Sequence, residues 1–240
     1  MEVMSMDDAL DFKAGLRDVL PTVFGYIGVG LAFGVVAHTS HIPTLMVGLM
    51  SLIVYGGSSQ FIIASMFLAG APVSAIVASA VLVNARMALM SMTVAPYLKQ
   101  ESLAQNIGIG SLLTDETFAL SMNKLNLTGH RLKPAWFHAA NITAYLVWAL
   151  ATVVGALLGG MIPDAKTFGL DFAVVGMFIG LLYLQMISDR SRPLLRHLLI
   201  AGFVAVEMVV LERFMPGNTA ILLATVVGCV FGMVVERDAK

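Results

Sequence analysis

Polar positions are sparse in this chain, and they divide it into long apolar runs. Residues 19–38, 43–69, 72–96, 134–160, 168–188, 194–214 and 217–235 each form such a run. A helix needs about 20 mostly apolar residues to cross a bilayer, so each is a candidate span. An eighth stretch, 105–122, is apolar at both ends but holds Thr114, Asp115, Glu116 and Thr117 at its centre. The pattern predicts an all-α polytopic membrane protein with seven apolar transmembrane helices plus one short polar crossing or half-helix. Residues 1–240 form one membrane-embedded domain in this reading, with tails at 1–18 and 236–240 around a bundle at 19–235. The first tail mixes Asp7, Asp8, Asp11 and Asp18 with Lys13 and Arg17. A signal peptide would start basic and have a shorter apolar run, so the tail is expected to form a short interfacial helix.

Polar islands inside the runs mark where chemistry can sit. The 43–69 run is interrupted by Tyr55-Gly56-Gly57-Ser58-Ser59-Gln60-Phe61. Paired glycines weaken a helix interior, and unwound backbone in lipid is tolerated only inside protein or along a wet cavity. A helix broken there exposes N–H groups at one end and C=O groups at the other, attractive to a carboxylate and a cation respectively. Ser58, Ser59 and Gln60 add neutral hydrogen bonds; a close helix crossing is the competing explanation.

Asn84-Ala85-Arg86 lies mid-way along the 72–96 run. A transmembrane arginine normally faces a partner or water, and Asp115 and Glu116 are the expected partners. Thr114 is suited to cap a short helix beginning at Asp115, with Thr117 three residues on. Glu207 is a further isolated carboxylate in an apolar run, a candidate for carrying protons. His38 and His41 lack further ligands, so no metal site is expected.

Composition and charge narrow the class. Only 12% of the 240 residues are charged, against about 25% in soluble domains. The net charge of -1 argues against a nucleic-acid partner. Lone Cys229 cannot form an intrachain disulfide. Counting 105–122 as a crossing puts most Lys and Arg, including Arg190, Arg192 and Arg196, on the side of the N-terminus, leaving Lys99, Lys166 and Arg213 outside. The positive-inside rule favours that arrangement, with both termini cytoplasmic. Gly30/Gly34, Gly155/Gly159, Gly176/Gly180 and Gly228/Gly232 have the spacing of close helix contacts. Gln60 and Gln185 each follow a similar apolar run, a faint sign of two parallel halves. No Gly-x-x-x-x-Gly-Lys-Ser/Thr, His-Glu-x-x-His or Gly-x-Ser-x-Gly run occurs. The chain therefore lacks P-loop and hydrolase signatures, and no cofactor is expected.

Leu20-Pro21, Gly25-Tyr26, Ala32-Phe33-Gly34, the Tyr55–Phe61 run, Asn84-Ala85-Arg86 and Leu113-Thr114-Asp115-Glu116-Thr117-Phe118-Ala119 follow one another in that order. This resembles the large subunit of the AzlC-type branched-chain amino acid exporters, most specifically over residues 15 to 122. The resemblance implies export of Leu, Ile, Val and sometimes Met across the inner or plasma membrane. It also implies a small AzlD-type membrane subunit as partner and use of the proton gradient. Many relatives carry histidine after the arginine of Asn-x-Arg, whereas this chain has Met87. If that histidine moves protons in the relatives, this chain must use Asp115, Glu116 or Glu207, or couple differently. In this reading Tyr55, Gly56, Gly57, Ser58, Ser59, Gln60 and Asn84 contact the substrate, and Arg86 with an acid forms a switching charge pair. A passive channel for a small neutral solute, a permease subunit energised by a separate ATPase, and a non-transporting scaffold are the alternatives.

Overall fold

The computed structural model describes residues 8–161, 193–215 and 217–237, together with Ile179, Leu182, Tyr183 and Met186. Every regular element among them is helical. The expected span at 168–188, with Gly176, Gly180 and Gln185, lies outside the described residues apart from four isolated positions. The chain forms two compact units, Met1–Met177 and Phe178–Lys240.

In the first unit a single turn at Asp8–Leu10 leads into α1 (Phe12–Asp18) and α2 (Leu20–Thr39). Four shorter or longer helices follow: α3 (Thr44–Ile53), α4 (Gly57–Leu68), α5 (Val73–Val94) and α6 (Leu103–Ser111). The unit ends with α7 (Asp115–Leu127) and α8 (Pro134–Gly159). A 3-10 turn carries α5 on to Leu98. Three of these helices, α2, α5 and α8, are long and apolar enough to cross a membrane.

The frame is a close parallel pair, α2 against α8. Gly30 faces Ala151, Gly34 lies on the Thr152–Ala156 backbone, and Gly159 lies against His38. Any side chain at Gly34 would collide with the α8 backbone, so glycine is what lets the axes approach. Of the predicted glycine contacts, Gly30/Gly34 and Gly155/Gly159 are thus the two halves of one seam. At the start of α8, Gly15 of α1 lies against Trp136 and Ala139. The N-terminal segment is therefore packed onto the bundle.

The 43–69 run does not make one crossing. It forms α3 and α4, of 10 and 12 residues, each about half a bilayer long. Their contacts show that the chain turns back. From the end of the bundle at His38, α3 descends past Val153, opposite Gly48, until Tyr145 reaches the Leu52 carbonyl. Gly57 then lies on the Trp148 ring, Phe61 packs edge-on against Phe33, and Ala64 shares an apolar cluster with Ala37, Ile42 and Val47. Thus α4 climbs back toward the end from which α3 came.

The 105–122 stretch does the same from the opposite end. Tyr97, at the end of α5, stacks on His130 in the α7–α8 loop, which places both at the α1 end. From there α6 runs inward, with Gly108 facing His138 and Asn141 reaching the Ile109 carbonyl. The chain breaks at Leu112–Thr114, and α7 returns until Lys124 meets Asp18 beside Trp136. Each stretch is thus a helical hairpin whose second arm returns toward the end from which the first came. Each break falls mid-run, and the course of the chain after it follows contacts distant in sequence, such as Trp148 with Gln60 and Phe33 with Phe61. Hairpin then span therefore occurs twice in opposite senses, α3–α4–α5 and α6–α7–α8. That is an inverted relation, distinct from the parallel one expected around Gln60 and Gln185.

In the second unit, α9 (Leu194–Leu211) is long and apolar enough to span, and α10 (Gly217–Arg237) packs on it. Gly228 meets Val204, and Phe203 stacks on Phe231 with ring centroids 4.0 Å apart.

Candidate functional site

The two hairpin tips meet near the middle of the α2–α8 frame, and Arg86 of α5 joins them. Its Nη2 donates to Ser58 Oγ at 3.0 Å and pairs with Asp115 Oδ2 at 2.7 Å. Ser58 lies in the first turn of α4, and Asp115 opens α7. One guanidinium thus binds the N-terminal turns of two helices that enter from opposite ends. Arg86 retains 37% side-chain exposure and Asp115 17%, so the pair is not sealed.

The two helix starts differ. In α7, Thr114 and Thr117 form a reciprocal capping box, and Asp115 and Glu116 place acid in the first turn. Both features suit the positive end of a helix dipole. In α4 the N-cap is Gly56, and no side chain caps the turn. Its first N–H groups lack intrahelical partners by geometry. The Asn84 amide sits against Gly56, and its Oδ1 is buried without a hydrogen-bond partner among the described residues. Tyr55, just before the cap, holds a left-handed backbone at φ 41°, a conformation costly for a bulky residue. Its ring is buried, and its hydroxyl likewise has no hydrogen-bond partner among the described residues.

Glu116 has a different surrounding from its neighbour. Tyr26 Oη donates to Glu116 Oε2 at 2.7 Å and lies 2.8 Å from Thr114 Oγ1. Of the two acids expected beside Arg86, the structure pairs Asp115 with it and turns Glu116 toward Tyr26. Among the described residues no cation pairs with Glu116.

Gln60 is fully buried and faces the frame: its Oε1 accepts from Trp148 Nε1 at 2.8 Å, and its Nε2 donates to Ser51 Oγ at 2.9 Å. Ser51 in turn lies 2.7 Å from Thr152 Oγ1. Ser59 bonds back to the Gly56 carbonyl. Gln60 and Ser59 thereby hold the tip, while Ser58 bonds to Arg86 and Asn84 lies against Gly56.

Sequence reasoning passed over α8. Asn141, Tyr145, Trp148 and Thr152 recur at helical spacing within its apolar run. Each reaches a different part of the hairpins: the Ile109 carbonyl, the Leu52 carbonyl, Gln60 and Ser51. That polar stripe was a readable signal. Tyr26 had no comparable mark. Glu207 is half-buried in α9 of the second unit, its Oε2 without a partner among the described residues. Among those residues no group of three His, Cys, Asp or Glu side chains could hold a metal ion.

Comparison with known proteins gives this arrangement a context. The AzlC protein family matches residues 21–162, more than half of the chain. The chain belongs to the AzlC family. Inner membrane protein YgaZ of Escherichia coli is 26% identical over 227 residues, spanning 93% of this chain and 90% of that protein. An uncharacterized membrane protein of Archaeoglobus fulgidus is 28% identical over 222 residues, 92% of this chain and 94% of its own. Branched-chain amino acid transport protein AzlC of Bacillus subtilis is 23% identical over 182 residues, 75% of this chain and 70% of that one. No solved structure matches. The part matched by the AzlC family runs from the first turn of α2 through α8, so it contains both hairpins, Arg86 and the α8 stripe, while Glu207 lies beyond it.

Proposed function

We propose that this AzlC-family protein exports branched-chain amino acids, Leu, Ile, Val and Met, across the inner or plasma membrane. It does so on the proton gradient and as the large subunit beside a small AzlD-type membrane partner. The observation that carries the reading is Arg86 bound at once to Ser58 and Asp115, where two opposed half-helices meet. Broken helices whose positive ends face a polar centre are a recurrent way to bind zwitterionic solutes at mid-bilayer. The substrate carboxylate takes the uncapped N–H groups of Gly57, Ser58 and Ser59 together with Arg86. Asn84 and Tyr55 border the head group, and Phe61 lies beside its apolar part. Entry of a carboxylate competes with Asp115 for the guanidinium, so the pair opens and re-forms as the two hairpins alternately give access. The name of the Bacillus subtilis relative supports the substrate class.

Re-entrant hairpins leave the crossing count even, with the expected span at 168–188 included. Both termini then stay cytoplasmic, and Lys99 joins the cytoplasmic cations, leaving Lys166 and Arg213 outside. The test is efflux of preloaded leucine from liposomes holding the protein and its partner, driven by an imposed pH gradient. Flux is expected in the wild type and absent in Arg86→Ala. Leucine flux that does not saturate and ignores a proton uncoupler would identify a passive channel instead.

A further inference from the structure

Resting on that reading, we infer that Glu116 is one site taken in turn by a proton and by the ammonium group of the amino acid. The two cannot occupy it together, and this exclusion couples them. Four observations converge on it. First, the two adjacent acids of α7 are unequal: Asp115 has Arg86 at 2.7 Å, whereas Glu116 has the Tyr26 hydroxyl as donor but no cation among the described residues. A charged group withdrawn from water needs an opposite charge, so Glu116 requires one added positive group.

Second, two of the carbonyls that could attract a cation at the broken helix ends are already engaged by α8. The carbonyls freed at the ends of α3 and α6 include Leu52 O and Ile109 O, and Tyr145 and Asn141 already donate to them. Third, Tyr55 is buried in one cluster with Tyr26, which donates to Glu116, and the Tyr55 hydroxyl has no hydrogen-bond partner among the described residues. It offers an acceptor oxygen to an ammonium, which has three protons to place. Fourth, Gly56 follows Tyr55 directly and opens the uncapped α4 turn. A carboxylate locus and an ammonium locus therefore flank one residue, a separation suited to an α-amino acid.

Among the described residues, these charged or titratable groups surround Glu116. Tyr26 faces it from α2 and Tyr55 from the first hairpin tip. Asp115 is its neighbour on α7, with Arg86 of α5 paired to that neighbour, and Tyr145 of α8 stands edge-on behind Tyr55. Tyr26, itself 2.8 Å from Thr114 Oγ1, holds the carboxyl group in either state, because a phenol donates to or accepts from it. In the exchange the carboxyl O–H of Glu116 gives its proton to water, and the ammonium takes the place of that proton. No covalent bond to the substrate forms.

The experiment is calorimetric titration of leucine into the purified full-length protein, in two buffers of different ionisation enthalpy, which counts protons released per leucine bound. About one proton per leucine is expected for the wild type near neutral pH. Glu116→Gln is expected to weaken binding by about tenfold or more, as loss of a charged hydrogen-bonding partner does, and its residual binding at high leucine should release none. Glu116→Asp keeps a titratable carboxyl and should restore release, which separates coupling from misfolding. Leucine binding without proton release in the wild type overturns the inference while leaving transport intact. Undiminished release in Glu116→Gln overturns it too. Failure of the wild type to bind any branched-chain amino acid is a different outcome, and it removes the transport reading itself.

Discussion

Asn141 and Tyr145 stand one turn apart on α8, and each donates to a backbone carbonyl freed by a different broken helix. Asn141 Nδ2 reaches Ile109 O of α6 at 3.0 Å, and Tyr145 Oη reaches Leu52 O of α3 at 2.8 Å. A hairpin that reverses in the apolar interior leaves carbonyls that water cannot satisfy. The frame helix supplies the missing donors. It therefore fixes how deep each tip sits.

Removing either donor should destabilise its hairpin. Asn141→Ala, which removes a buried hydrogen bond, and Tyr145→Phe, which removes an exposed one, are each expected to cost about 0.5–1.5 kcal/mol, with Asn141→Ala the larger. The two changes touch different hairpins, so their effects should add to within about 0.5 kcal/mol. Thermal unfolding of the purified protein in detergent measures both. Unchanged melting in Tyr145→Phe would mean that the Leu52 carbonyl finds another donor.

The Arg86–Asp115 pair should show the opposite behaviour, strong coupling. Arg86→Ala leaves the Asp115 carboxylate facing α7 without its cation, and Asp115→Ala leaves the guanidinium with only Ser58. Breaking one side of a buried pair costs more than removing both. Since Arg86 is 37% exposed, solvent reduces that cost. The double variant should be more stable than the sum of the two single losses predicts, by about 1 kcal/mol. Transport should be lost in all three.

Much of the site was legible in the chain, and the reasons are specific. Gly56 and Gly57 announce a break because helices and lipid both penalise them, and the break is there. Thr114-x-x-Thr117 announces a helix start, and α7 begins at Asp115. The direction of the chain after each break was not legible. A helix that resumes straight on and one that doubles back carry the same apolar residues, because both are surrounded by protein and lipid. The reversal is decided by partners far away in sequence, such as Trp148 for Gln60 and Phe33 for Phe61. Local reading also assigned Gln60 to the substrate, since it cannot show that both ends of the amide are engaged by α3 and α8.

A pH effect is expected at the α1 end, ahead of the first span. Asp18 accepts from Lys124 Nζ at 2.6 Å and from Trp136 Nε1 at 3.0 Å. Burial pushes its carboxyl up, but the bonds from Lys124 and Trp136 outweigh burial and hold it below its ordinary value. A lowered folded value means the contact stabilises fully above the unfolded value, about 3.9, and is lost as pH falls through the folded one. Melting temperature should therefore drop on acidification below about pH 4, and Asp18→Asn should remove that part of the drop. Asp18→Asn should also cost about 1–3 kcal/mol at neutral pH, because Lys124 keeps its charge in a largely buried position. An identical acid slope in wild type and variant would assign the loss to other carboxylates.

The re-entrant course of the hairpins makes a prediction that a row of simple crossings does not share. Both ends of α3–α4 should face one side of the membrane, and both ends of α6–α7 the other. Single cysteines at Thr39, Ala71, Lys99 and Arg131, in a Cys229→Ser background, report this with a membrane-impermeant thiol reagent on intact cells. Thr39→Cys and Ala71→Cys should label from outside, and Lys99→Cys and Arg131→Cys only after the membrane is opened. If 43–69 and 105–122 crossed as unbroken runs, Thr39 and Ala71 would label from opposite sides, and Lys99 and Arg131 would as well. The physical ground for expecting the first pattern is length and company. A helix of 10 or 12 residues rises about 15–18 Å, half of the hydrocarbon core. Phe61 of α4 packs on Phe33, and Ala64 clusters with Ala37 and Ile42, at the end where α3 began. Labelling of Lys99→Cys from outside would mean that α5 ends on the far side, and the stacking of Tyr97 on His130 could not then exist in the membrane.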